Sequence, residues 1–332
     1  MKANKNIKFF INYFLGPLLF GWLVWSIYWQ IKNQEGLEQA WRGIRESLNS
    51  PKILYLVFVL LLMVVNWTIE AIKWRLSIRK IQQVSLGKAL QAVLSGVSFA
   101  VSTPNRMGEY LGRILYMKDG SRLKTISITI VGSISQLIIT LIMGFIGLLL
   151  LQNTIREQQL ISSLWMQFIL MGVVIVIVFL TLFYFRLTWI VRLVEKLPYS
   201  RKFSYLVTAL EDFNATMLWQ LLSLSLLRFF VFIVQYYLLF SLFDMDMSWW
   251  HVFWTVSVSF LVMAVIPTIA IAELAQRGKI LIAIVGLYTT NELGITLVTA
   301  SIWFINLIIP AITGSILILR IKKILKEQHE KV

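Results

Sequence analysis

The sequence contains no cysteine and only two histidines, His251 and His329, in 332 residues. Disulfides, thiolate metal sites and cysteine nucleophiles are therefore excluded, and no His-rich metal site can be assembled. Charge is also scarce: 14% of residues are charged, against about 25% in ordinary soluble domains. No Gly-x-x-x-x-Gly-Lys-Ser/Thr stretch occurs, so no ATP-binding loop of that kind is present. What fills the chain is apolar. Hydrophobic residues make up 58% and the mean hydropathy is +0.77. A soluble fold would leave much of this surface facing water, whereas a bilayer solvates it.

Spanning the hydrocarbon core takes about 20 apolar residues in a helix. Six segments meet that length: Phe9–Ile31, Ile53–Ile72, Thr125–Leu151, Leu164–Phe185, Met217–Phe243 and Ile295–Leu319. Two more apolar stretches are shorter, Leu86–Val101 before Pro104 and Trp249–Ile266 before Pro267. Proline ends a helix, because it lacks an N–H and crowds the preceding turn. The expectation is an all-α polytopic membrane protein, with about six full spans plus two proline-broken re-entrant hairpins. Eight crossings is the alternative, with residues 279–291 completing a span.

The net charge of +15 does not lie along one polar face; it is clustered between the apolar segments. Lys2, Lys5 and Lys8 precede the first span. Lys73, Arg75, Arg79 and Lys80 follow the second, and Lys118, Arg122 and Lys124 precede the third. Arg186, Arg192, Lys196, Arg201 and Lys202 follow the fourth, and Arg320, Lys322, Lys323 and Lys326 the last. All fall on one side if both broken stretches dip in and return. The excess of Lys and Arg in cytoplasmic loops makes that side cytoplasmic, with both termini inside. This reading replaces nucleic-acid binding as the meaning of the positive charge. The first apolar segment is too long for a signal peptide and lacks a small-residue cleavage site. The charged run 186–202 reads as a helix lying in the cytoplasmic interface. Residues 30–51, with Leu37 and Trp41 among mixed charges, read as an external loop. The whole chain, 1–332, reads as one integral membrane domain.

The two broken stretches share an order of residues. Val97-Ser98-Phe99-Ala100-Val101 leads to Pro104, then Glu109 and Arg113. Val258-Ser259-Phe260-Leu261-Val262 leads to Pro267, then Glu273 and Arg277. In each case the Glu and Arg stand four apart, on one face of a helix, where they can pair. Repeat halves of about 51–151 and 217–319 follow. The hairpins would enter from opposite faces, as in transporters built from inverted repeats. Irregular backbone at membrane depth is tolerated only inside protein or along a wet cavity, and a charge there marks function by default. The candidate substrate-binding residues are therefore Arg106, Glu109, Arg113, Glu273 and Arg277, with Pro104 and Pro267 as helix breaks. Arg228, in mid-span, either joins them or pairs with a structural carboxylate. Gly132, Gly144, Gly147 and Gly314 read as sites of close helix packing.

The string Ser102-Thr103-Pro104-Asn105-Arg106-Met107-Gly108-Glu109-Tyr110-Leu111-Gly112-Arg113 resembles the Pro-Gly-Arg-x-Gly-Glu-x-x-Arg signature of the flippase-like membrane domain of lysylphosphatidylglycerol synthases and their stand-alone relatives. Asn105 stands where that family usually has glycine. Pro267, Glu273 and Gly286 match a weaker second motif, with Ile and Ala where glycines are common. The resemblance extends from about residue 10 to 320 and includes no soluble aminoacyl-transfer domain. It implies the lipid-translocating part: movement of an anionic or lipid-linked phosphate head group between leaflets of a bacterial inner membrane. The partner is then a membrane phospholipid or a lipid-linked precursor, with no cofactor, no metal and no nucleic acid, and homo-oligomerisation stays open. No catalytic constellation is found, so an enzyme is not expected. Two other functions stand beside this one. A membrane-embedded lipid-phosphate transferase would have Asp244 and Asp246 as its one close Asp pair. A non-transporting scaffold would leave the repeated intramembrane charges without a purpose.

Overall fold

The computed structural model describes residues 50–101, 103, 108–118, 121–159, 161–187, 210, 213–266 and 270–319, with isolated positions 25, 28, 29, 42 and 45. For 123 and 270–274 it describes the backbone alone. Every described element is helical. They are α1 (Ile53–Ile78), α2 (Leu86–Val101), α3 (Gly108–Ile114), α4 (Arg122–Glu157), α5 (Ser163–Phe185), α6 (Ala215–Leu242), α7 (Trp249–Val265), α8 (Ala270–Val285), α9 (Glu292–Trp303) and α10 (Ile309–Ile318). A five-residue π-turn, Phe304–Ile308, joins the last two.

Five helices among the described residues are long and apolar enough to cross a bilayer: α1, α4, α5, α6 and the continuous α9–α10 run, Glu292–Ile318. They coincide with five of the six segments read from the sequence. The first, Phe9–Ile31, lies outside the described residues, as does the proposed interfacial helix beyond Leu187. α2 and α7 are the shorter apolar helices. Together with the family reported below, these helices make the protein an all-α integral membrane protein. α5 shows what the surface is for. Few of its residues are buried, and Leu164, Trp165, Phe168, Met171, Ile175, Phe179 and Leu182 all face outward. In water such a belt would be a large exposed patch; in a bilayer it is the solvated surface.

Local sequence sets the helix starts. Asn214, Ser248 and Asn291 each place a side-chain oxygen on the backbone N–H three residues on, capping α6, α7 and α9. The π-turn has a similarly local cause. Pro310 has no N–H to give the Asn306 carbonyl four residues earlier, and the Ile309 N–H reaches back five residues to Phe304.

α1 and α6 pack antiparallel through the centre. Gln235 donates to the Val59 carbonyl at 2.9 Å, Arg228 meets Asn66 and Glu70, and Lys52 meets Asp244 at one end. α2 and α3 form a hairpin whose two ends lie together. The Gln82 amide donates to the Tyr116 carbonyl (3.3 Å) and accepts from the Lys118 N–H (3.0 Å). A Cβ on Gly112 would fall onto the backbone of Gly96, so the two strands of this hairpin touch backbone to backbone. α7 and α8 form the second hairpin, with His251 stacked on Tyr288 at 4.1 Å where the chain returns. The first hairpin starts from the C-terminal end of α1, the second from the C-terminal end of α6. Because α1 and α6 are antiparallel, α2 and α7 start at opposite ends of this pair.

Each hairpin is gripped by a long helix of the other half of the chain. Gly144 and Gly147 of α4 lie on Ser257, Leu261 and Val258 of α7. Gly314 of α10 lies on Leu94 of α2, where Ser98 also donates to the Ala311 carbonyl at 2.5 Å. Those three glycines do serve close packing. Gly132 does not: a Cβ there would meet only the Lys73 Cε, at an ordinary contact distance of 3.8 Å.

Candidate functional site

The centre of α1 reads Asn66-Trp67-Thr68-Ile69-Glu70-Ala71-Ile72-Lys73, which sets Asn66, Glu70 and Lys73 at i, i+4 and i+7 on one face. That face turns inward. Glu70 is 6% exposed and Lys73 2%. Three cations close on the Glu70 carboxylate. Arg113 Nη2 donates to Oε1 at 2.9 Å, Lys73 Nζ lies 3.1 Å from Oε2, and Arg228 Nη1 also donates to Oε2. Arg113 reaches in from α3 and is 3% exposed; Arg228 comes from α6. The same Arg113 Nη2 contacts Glu109 Oε2 at 3.1 Å, one turn earlier on α3. A second layer orients the cations. Arg228 Nε donates to Asn66 Oδ1 at 2.8 Å, and its guanidinium lies 5.7 Å from the Trp67 ring centroid. Lys73 Nζ donates to Ser225 Oγ at 3.3 Å, which in turn shares a 2.8 Å hydrogen bond with Ser135 of α4. Isolated charges at such depth are expensive, and here each is satisfied by a partner of opposite sign.

Beside the cluster is a cavity of about 620 Å³. Its polar lining includes Glu70, Lys73, Glu109, Gln136, Arg228, Arg277 and Asn306; its apolar lining includes Phe229, Phe232, Phe260 and Ile302. Arg277 arrives on α8 and donates to the Tyr236 hydroxyl at 3.4 Å. Among the described side chains, Lys73, Arg113 and Arg228 converge on Glu70, and Glu109 and Arg277 add to the charged lining of the cavity.

Of the residues singled out in the sequence, Glu109, Arg228 and Arg277 line this cavity, and Arg113 is bound to two of its carboxylates. The backbone of Glu273 lies in α8, one turn before Arg277, and its side chain is outside the description. Pro104, Arg106 and Pro267 also lie outside the described residues. Arg228 does pair with a carboxylate, and that carboxylate is part of the cavity wall. Lys73 departs from expectation. Read as the first residue of a cytoplasmic basic cluster, it is a buried member of α1, held there by Glu70 three residues before it. Glu70, Asn66, Gln136 and Asn306 were not anticipated. For the first two the signal was present: polar residues at helical spacing inside an otherwise apolar span. Asp244 is exposed, paired with Lys52 at 2.5 Å, and does not line the cavity.

A comparison with protein families finds the Lysylphosphatidylglycerol synthase TM region over residues 13–300. The chain belongs to this family. Comparison with curated proteins and with solved structures gives no match. The lysylphosphatidylglycerol synthase TM-region match covers every helix from α1 to α8 and most of α9, and so the whole cluster around Glu70. It is the membrane region of that family, related to lipid-modifying and flippase-like proteins, that this chain shares.

Proposed function

We propose that the protein moves a lipid with an anionic, phosphate-bearing head group between the leaflets of a bacterial inner membrane, without chemistry of its own. The observation that carries this reading is the mixed lining of the cavity, where Lys73, Arg228 and Arg277 stand among aromatic and aliphatic side chains. An arginine fork binds phosphate through paired N–H donors, and the apolar part of the lining suits the lipid portion that travels with it. The family match adds a membrane region related to lipid handling.

The architecture suits the same task. α2 and α7 have 16 and 17 residues, about 24–26 Å of helix, short of a hydrocarbon core of about 30 Å. The reading is that each hairpin dips in and returns, one from each face, as halves of an inverted repeat. The basic ends of α1 and α4 set the cytoplasmic side, with both termini inside.

The test is reconstitution in liposomes with labelled phosphatidylglycerol or phosphatidylcholine, scored by loss of outer-leaflet label to a membrane-impermeant quencher. Faster exchange of the anionic lipid is expected, falling at least about tenfold in Arg228→Gln or Arg277→Gln. Exchange of anionic lipids no faster than in protein-free liposomes overturns the proposal.

A further inference from the structure

The cations that line the cavity are already occupied. Both oxygens of Glu70 are engaged, Oε1 by Arg113 and Oε2 by Lys73 and Arg228. A phosphate entering the cavity meets guanidinium and ammonium groups whose donors point at a carboxylate of the chain itself. Resting on the proposed function above, we infer that Glu70 is a tethered stand-in for the substrate: in the empty protein it takes the phosphate's place on Arg228 and Arg113, and an arriving head group displaces it.

The reason lies in the empty protein. A carrier that has released its ligand must reset with the site vacant. Without Glu70, Arg228 and Lys73 would be left buried with no carboxylate and Arg113 with Glu109 alone, which is strongly disfavoured. Glu70 sits on α1, whereas Arg113 comes from the first hairpin and Arg228 from α6. Its carboxylate thus ties three elements together when no lipid is bound, and its release on binding frees them to move relative to one another. A phosphate offers more acceptor oxygens than a carboxylate, so exchange proceeds without leaving any of the three cations unpaired. Asn66 and Ser225, which hold Arg228 and Lys73 from behind, keep the donors in place while the anion changes. Exchange also weakens net binding, since an incoming ligand must compete with a group that is always present. If the displaced arrangement is populated about a tenth of the time, apparent affinity is about tenfold below intrinsic affinity.

Glu70→Gln tests this. The amide keeps the volume and one acceptor but gives up the charge. In purified protein in nanodiscs, binding of phosphatidylglycerol is expected to tighten about tenfold, while translocation in liposomes slows by at least the same factor. Both are normalised to folded protein. The opposite movement of the two readouts is the signature: a residue that only supports the fold would weaken binding and transport together. If Glu70→Gln accumulates poorly, Glu70→Gln with Lys73→Met restores the local charge balance and is expected to show the same split. Wild-type protein that binds the lipid while neither variant binds it more tightly overturns the exchange and leaves the translocation reading standing. Wild-type protein that binds no anionic lipid overturns both.

Discussion

Removing Arg113 and removing Glu70 should differ in severity, because the two sit differently in the same network. Arg113→Gln takes away one of the three cations on Glu70 and the partner of Glu109. Glu70 keeps Lys73 and Arg228 on its other oxygen. Glu109, at 23% side-chain exposure, can turn to water in the cavity. The loss is one charge-assisted hydrogen bond at a buried acceptor, about 1.5–3 kcal/mol. Glu70→Leu instead leaves Arg113, Lys73 and Arg228 facing one another without their shared carboxylate, and breaking one buried pair alone costs about 3–5 kcal/mol. The expected order of damage is therefore Glu70→Leu well beyond Arg113→Gln. Unfolding in mixed detergent micelles, titrated with a denaturing detergent, measures both. Translocation in liposomes should fall at least about tenfold in Arg113→Gln and return in part with Arg113→Lys, which keeps the charge but not the planar fork. Equal destabilisation by the two variants, or a Glu70→Leu protein as stable as wild type, would refute the network as described.

Gly112→Val should separate α3 from α2, because its Cβ would fall on the Gly96 backbone, and folded yield should drop sharply; Gly87→Ala, with nothing within 4 Å, should leave yield unchanged, as read by fluorescence-detected size exclusion. The ion pair Lys52–Asp244 is solvent-exposed, so Asp244→Ala should shift stability by less than about 1 kcal/mol in the same detergent titration. Single cysteines introduced into this cysteine-free chain at Asp246 and at Arg79 lie at opposite ends of the α1–α6 pair, and an impermeant maleimide should label only position 246 in intact cells. Labelling of both from outside would reverse the assigned topology.

Helix positions were legible because length and hydropathy decide them: five long spans and both short apolar helices begin within a few residues of the apolar runs, although α1 and α4 continue six residues past Ile72 and Leu151. The Glu109–Arg113 pair was legible because four residues is one helical turn. Glu70 was legible only as a polar residue at helical spacing with Asn66 and Lys73; the cluster was not, because two of its three cations come from 43 and 158 residues away. Lys73 was misplaced for a related reason. It stands just before Arg75, Arg79 and Lys80, and in one dimension the four form a single basic run. On the helix Arg75 and Arg79 face outward while Lys73 faces the core. Gln136 and Asn306 gain their meaning only from the cavity that α4 and the π-turn help to enclose.

The exchange of partners between the two halves also governs how such a chain can be made. The first hairpin is synthesised well before the surface that covers it: Ser98 waits for the Ala311 carbonyl, 213 residues later. Until α10 leaves the insertion machinery, α2 carries its hydroxyls and α3 carries Glu109 and Arg113 without their final enclosure. α1 likewise holds Glu70 and Lys73 with Arg228 still to come. A chain of this kind cannot mature one half at a time. Its early helices must be held, by lipid, by water or by the insertion machinery itself, in a provisional arrangement that the C-terminal helices then close. Sequence changes in α10 far from any charge, such as a bulkier residue at Gly314, would act at that closing step, on how many chains mature rather than on how each mature one works.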